Sequence, residues 1–131
     1  MKWGLVAELA LPGLAIGLAV VFGLPETVMW GAWAALRLGS ALWIARAVRR
    51  AHFAHGFWGG FLGASSAVLS AVALYGTYTA NHPEFAANAA ETAPKLDPRL
   101  LLACVALGAG LAHGLLQGVL AWVAAKIVTS R

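Results

Sequence analysis

Four apolar stretches, each of about the length that crosses a bilayer, cover almost all of this 131-residue chain. The hydrocarbon core of a membrane is about 30 Å thick, and a helix needs about 20 residues to cross it. Hydrophobic residues make up 61% of the chain and charged residues 11%. Soluble domains are about half apolar and a quarter charged. The sequence therefore predicts an all-α, polytopic membrane protein whose four transmembrane helices form one bundle in a single domain.

The ends of the predicted helices follow from prolines and polar residues. Pro25 and Pro98 each stand at the start of an apolar stretch, and proline suits the first turn of a helix. The loop 79–99 between the third and fourth helices contains the alanine-rich segment 83–91, which predicts a short interfacial helix. The predicted transmembrane helices run approximately over residues 3–23, 27–48, 57–78 and 100–128.

The basic residues predict the orientation of the bundle, because positive side chains concentrate on the cytoplasmic side of a membrane. Two of them, Lys95 and Arg99, fall at one end beside most of the acidic residues. Six others fall at the opposite end, namely Lys2, Arg46, Arg49, Arg50, Lys126 and Arg131. We therefore expect both termini in the cytoplasm and the protein in the cytoplasmic (inner) membrane of a bacterium. These residues form no long tract, so we expect no nucleic-acid partner.

Small residues predict where the helices pack closely. The fourth stretch has Gly110, Gly114 and Gly118 at every fourth position, and the third has Gly59 and Gly63. Helices in lipid gain little from hydrophobic association, so close backbone contact decides which faces meet. The pattern predicts a glycine zipper, either within one chain or between copies of it.

The ends of the second and fourth stretches share Gly, Trp and Ala at matching spacings, in residues 39–45 and 118–124. A duplicated helical hairpin would produce such a match. Gly, Ala and Trp are common in all membrane helices, so chance similarity is the favoured interpretation.

Arg37 is the most unusual residue, because it lies near the middle of the second stretch, where arginine costs a few kcal/mol on insertion scales. Such a residue faces protein or a water-filled cavity. A rise of about 1.5 Å per residue places His113 and Gln117 near its depth. Glu8 lies about two turns away, within reach of long side chains. We predict a midplane cluster of these four residues, which either binds an anion, a polar headgroup or protons, or forms a structural clasp.

Two histidines, His52 and His55, lie beside Arg49 and Arg50 at the predicted inner boundary. A shared metal ion would need a third ligand, which the sequence does not offer at that depth. We therefore expect no metal ion and no cofactor. Together with Arg46, these residues predict an interfacial basic patch that attracts anionic lipid headgroups.

No catalytic motif is recognisable, since the chain has no H-E-x-x-H, no G-x-S-x-G and no phosphate-binding glycine loop. The leading interpretation is a non-enzymatic interaction or accessory subunit, as a homo-oligomer or in a larger membrane complex. The alternative is a small transporter or channel that uses Arg37 and His113 at the midplane. A second alternative is a membrane enzyme that acts on a lipid or quinone at His52, His55 and Arg49.

Overall fold

The computed structural model describes residues 1–129, so Arg131 of the charge pattern lies outside the described part. The described chain is all-helical, and four of its helices are long and apolar enough to cross a membrane, which confirms the predicted number of candidate spans. The orientation of these helices in a membrane stays a prediction. The helices are α1 Trp3–Val21, α2 Glu26–Ala47, α3 His52–Ala73, α4 Tyr75–Asn81, α5 Pro83–Thr92 and α6 Pro98–Thr129.

The third predicted helix differs most from its predicted bounds. It begins at His52, directly after Ala51, whose φ of 56° places it in the left-handed region and turns the chain into α3. It ends at Ala73, because Leu74 leaves the helical conformation with φ −107° and ψ 39°. The residues after Leu74 form the separate short helix α4. The interruption falls within an apolar run, where hydropathy does not reveal it.

α3 is the centre of the bundle. It packs against α6 on one side and α1 on the other, while α2 packs mainly against α6. α1 and α2 are neighbours in the chain but touch only loosely, whereas α3 and α6 share the most extensive contact. The two predicted hairpins therefore pack differently from each other.

Glycines set the close approach of α1 to α3. A Cβ atom added to Gly13 would lie 2.7 Å from the Cα of Gly63, and one added to Gly17 would meet the backbone of Ala67. Gly59 faces the Leu9 side chain of α1, where an added Cβ would lie 3.0 Å from the Leu9 Cβ. The α1–α3 seam thus depends on the absence of side chains at glycines of both helices.

The glycine stripe of α6 packs within the chain, against a row of stacked phenylalanines on α3. Neighbouring rings in this row have centroids 6.2 and 6.1 Å apart. A Cβ atom added to a facing glycine would lie 2.8–3.1 Å from an atom of the ring, and one added to Gly110 would first meet the Ser65 hydroxyl. The facing pairs are Gly118 with Phe53, Gly114 with Phe57 and Gly110 with Phe61. The stripe is therefore already covered by side chains of the same chain.

The two ends of the bundle differ in what closes them. We call the end that carries Lys2, Arg49 and Arg50 the basic end, and the end that carries α4 and α5 the capped end. A buried core fills the basic end, and α4 and α5 lie over the capped end with partly buried aromatic rings. The basic-end core consists of Leu5, Leu9, Ile44, Val48 and Ala121.

Asn81 and His82, at the junction of α4 and α5, form hydrogen bonds with the last turn of α1. Asn81 Nδ2 donates a hydrogen bond to the Val21 carbonyl at 3.1 Å, and His82 Nε2 donates to the Val20 carbonyl at 2.8 Å. The last carbonyls of a helix lack partners within it. The bond from Asn81 gives the Val21 carbonyl such a partner, whereas the Val20 carbonyl also accepts from the Gly23 backbone N–H at 2.9 Å. This junction positions Tyr78 beside the bundle, with its ring centroid 4.7 Å from that of His82.

The position of Tyr78 predicts a pH dependence at the capped end. Burial raises the pKa of Tyr78 above its ordinary value, and the negative charge of Glu84 raises it further. The neutral phenol is then favoured by folding, so its stabilisation is complete below about pH 10 and is lost as pH rises through the raised pKa. We expect Glu84→Gln to lower the pKa of Tyr78 while leaving it above the ordinary value, because burial is the larger cause.

Ultraviolet titration of tyrosinate in a Tyr75→Phe background measures the pKa of Tyr78 without a second tyrosine. An unchanged pKa in the Glu84→Gln variant would contradict the assigned charge effect.

Candidate midplane binding site

Arg37 reaches from α2 to α6 near the middle of the spans. Its Nη2 donates a hydrogen bond to Nδ1 of His113 at 2.7 Å, and Gln117 Nε2 donates to the Arg37 carbonyl at 3.1 Å. The guanidinium lies 5.6 Å from the ring centroid of Trp33, in a cation–π arrangement. The structure thus brings together three of the four residues of the predicted cluster.

Glu8 does not join the cluster. The buried side of α1, which includes Leu5 and Leu9, faces the basic-end core. Glu8 directly precedes Leu9, so it points about 100° away around the helix, and its side chain is exposed. The predicted contact between Glu8 and Arg37 is therefore absent, since α1 turns this residue outward and touches α2 only loosely.

Trp33 belongs to the site although it is not one of the four residues of the predicted cluster. It packs edge-on against His113, with ring centroids 5.0 Å apart. Trp33 and Arg37 are four residues apart on α2, a spacing that puts two side chains on one face of a helix. This spacing is the signal that could have identified it.

Arg37 has no carboxylate partner within residues 1–129. A contact between a histidine and a carboxylate lies instead at the capped end, where His82 Nδ1 is 3.4 Å from Oε1 of the exposed Glu84. Arg37 is half-buried, and its side chain has His113 as its hydrogen-bond acceptor. A cation in a membrane span usually pairs with an acid or with carbonyl oxygens. The guanidinium therefore retains N–H groups that an anion could accept from.

The contact with Arg37 also determines which ring nitrogen of His113 carries the proton. A guanidinium can only donate, so Nδ1 of His113 is the acceptor and the neutral ring carries its proton on Nε2. No hydrogen-bond acceptor for Nε2 is found within the described residues, and this atom is not sealed away from the surface. His113 thus offers an N–H donor of its own, at the ring nitrogen that does not face Arg37.

A partly open cavity of about 330 Å³ begins at His113 and extends toward the capped end. Apolar side chains of all four spans form its walls. Trp33 and His113 lie at its deep end, and Tyr78 and Phe85 from α4 and α5 lie at its outer end. Sites for small ligands in proteins typically measure about 300–1,000 Å³, so the volume suits a small molecule.

The bundle closes on the other side of His113. A void of about 20 Å³ beside Trp33, Ser40 and Gln117 has room for roughly one water molecule. Beyond it lies the packed basic-end core, which contains the fully buried Ile44. The cavity therefore reaches the midplane from the capped end and stops there.

The histidines of the predicted basic patch are occupied by local hydrogen bonds. His55 is buried, and its Nδ1 donates to the Ala51 carbonyl at 2.8 Å while its Nε2 accepts from the Lys2 backbone N–H at 2.9 Å. His52 Nε2 donates to the Val48 carbonyl at 2.9 Å. The arginines Arg46, Arg49 and Arg50 are exposed. Within residues 1–129, no group of three His, Cys, Asp or Glu side chains is arranged to hold a metal ion.

The midplane site therefore combines a deep apolar cavity, whose polar end is lined by His113, with Arg37, which does not line the cavity itself but is hydrogen-bonded to His113. Such a site suits a molecule with an apolar body and a hydrogen-bond-accepting head. Comparison of the chain with protein-family models, with curated proteins and with solved structures gives no match.

Proposed function

We propose that the protein is a small membrane carrier for amphipathic organic anions. The observation that carries this proposal is an arginine without a carboxylate partner in the described residues, hydrogen-bonded to the histidine at the polar end of an apolar cavity. The anionic head of the ligand accepts hydrogen bonds from Arg37 and from Nε2 of His113. Its apolar body lies in the cavity, in contact with side chains such as Trp30 and Val68.

The one-sided cavity favours a carrier over a channel. A channel needs a continuous polar path, whereas this cavity has apolar walls and ends at a packed core. Small transporters bind their substrates near the midplane and open to one side at a time. The loose contact between α1 and α2 supplies a seam at which the helices can separate. In the proposed carrier, the cavity that is open toward the capped end is the entrance for the ligand.

The glycine seams do not favour an interaction subunit over a carrier. That interpretation drew in part on small-residue faces that could pack against another chain. Gly13, Gly17, Gly110, Gly114 and Gly118 instead meet atoms of the same chain.

Filling the cavity tests the proposal directly. Ala109 lines the cavity, and Ala112 lies one turn further along α6 with an exposed side chain. We expect Ala109→Leu to abolish the accelerated uptake of an alkyl sulfonate into proteoliposomes, because the new side chain occupies the space of the ligand's apolar body. Ala112→Leu adds the same atoms outside the cavity, so uptake should match that of the unmodified protein.

An alkyl sulfonate is suitable because it stays charged and crosses lipid slowly by itself. Equal uptake by the two variants, or uptake no faster than in protein-free liposomes, would contradict the proposal. Thermal unfolding of both variants establishes that they are folded.

A further inference from the structure

The turn between α2 and α3 forms one wall of a second open space, a pocket of about 300 Å³ at the basic end. This pocket is separate from the midplane cavity, because the basic-end core lies between them. Its lining residues include Lys2, Val48, Arg49, Arg50 and His55.

The charged side chains that line the pocket are all positive. Lys2, Arg49 and Arg50 are exposed and line it, and none of its lining residues is acidic. Lys2 Nζ donates to the Ala47 carbonyl at 2.9 Å, which fixes its position and leaves further N–H donors. No ion pair of these three side chains is found within residues 1–129. The pocket therefore presents cationic donors without internal counter-charges.

The backbone of the turn adds donors to these side chains. Within the described chain, no acceptor is found for the backbone N–H groups of residues 49–54. The last three of these belong to the first turn of α3, a helix of 22 residues whose dipole favours an anion at this end.

The buried His55 gives the pocket a fixed wall. Its hydrogen bonds to Lys2 and Ala51 tie the start of the chain to the turn, and only 3% of the residue is exposed. The backbone of Lys2 and the turn that carries Arg49 and Arg50 are thus held together by His55.

We propose that this pocket binds a phosphate group through Arg49, Arg50 and Lys2, with the start of α3 behind them. Arginine recognises phosphate through paired N–H donors, and lysine contributes a point charge. The phosphate belongs either to an anionic lipid headgroup or to a soluble anion. The proposed site includes only part of the predicted basic patch, because Arg46 does not line the pocket. This site is independent of the carrier function, so either proposal can fail alone.

Two double variants with the same loss of charge test the site. Arg49→Gln/Arg50→Gln removes both arginines of the pocket. Arg46→Gln/Lys126→Gln removes two charges from the same end of the bundle but outside the pocket. Each protein is reconstituted in phosphatidylcholine nanodiscs, and its folding is checked by thermal unfolding.

One arm titrates inorganic phosphate at constant ionic strength and follows intrinsic fluorescence, since Trp3 and Trp58 lie near this end with ring centroids 6.2 Å apart. The other arm counts phosphatidic acid retained from doped nanodiscs by native mass spectrometry. We expect the pocket variant to weaken binding at least about tenfold in one arm, while the control variant stays near the unmodified protein. The arm that responds identifies the source of the phosphate.

Equal weakening in both double variants would overturn the pocket, because it would show only the general attraction of a basic surface. Absence of binding to the unmodified protein in both arms would overturn it as well.

Discussion

Replacing Gly17 with alanine is expected to lower the free energy of unfolding by about 1–3 kcal/mol, the usual cost of overpacking a close contact. The added methyl group would meet the Cα, carbonyl carbon and oxygen of Ala67 on α3. These are backbone atoms, which cannot rotate away as a flexible side chain could. α1 therefore has to move away from α3, and this movement also disturbs the cavity wall to which Gly17 belongs.

Gly31→Ala is the matched control for this prediction. Gly31 lies in α2, and a Cβ atom there meets nothing within 4 Å. We expect the control to unfold at the same or a slightly higher temperature than the unmodified protein, because alanine favours helix over glycine by up to about 1 kcal/mol. Circular dichroism during heating in detergent measures both variants. Indistinguishable unfolding temperatures would contradict the close α1–α3 contact.

The spans were predictable because the bilayer imposes a length and a composition on each of them. The interruption at Leu74 was not predictable in the same way. Leu74 is apolar and is flanked by helical residues, so neither hydropathy nor a proline marks it. What ends α3 is a change of backbone direction, and that change lets Tyr78 and Phe85 approach the outer end of the cavity.

Counting residues along the spans predicted the depth of each side chain in the membrane but not the rotation of each helix about its axis. Depth alone correctly brought His113 and Gln117 to Arg37. It failed for Glu8, because the rotation of α1 about its own axis follows from the packing of Leu9 and Gly13 rather than from height in the membrane. A contact between two helices needs both quantities, and one sequence supplies only the first.

The placement of whole helices decides which residues face the glycines. It also decides where a cavity is left. The spacing of Gly110 and Gly114 indicated a smooth face on α6 but not that phenylalanine rings would cover it. The cavity is the volume left where α1 and α2 fail to pack closely. No local pattern in the sequence encodes such a volume, so the sequence predicted the polar end of the site without the apolar part.

Replacing Arg37 with glutamine is expected to weaken binding of an alkyl sulfonate by about 10- to 100-fold. A hydrogen bond to a charged group contributes about 1.5–3 kcal/mol, and each 1.4 kcal/mol is a factor of ten in affinity. Glutamine keeps a donor but loses the positive charge and the reach to His113. Binding of a neutral alcohol with the same alkyl chain should change little, because the cavity walls remain. The intrinsic fluorescence of Trp30 and Trp33, which line the cavity, measures both affinities.

The comparison of charged and neutral ligands separates a binding site from a structural clasp. A clasp between α2 and α6 would, when broken, loosen the cavity for every ligand, so both affinities would fall together along with thermal stability. Arg46→Gln removes a charge from the same helix outside the cavity and should leave the sulfonate affinity unchanged. Arg37→Lys should give an intermediate affinity, because the ammonium group keeps the charge but lacks the planar donors that reach His113 across the face of Trp33. Loss of anion affinity with retained alcohol affinity is therefore the result that assigns Arg37 to the ligand rather than to the fold.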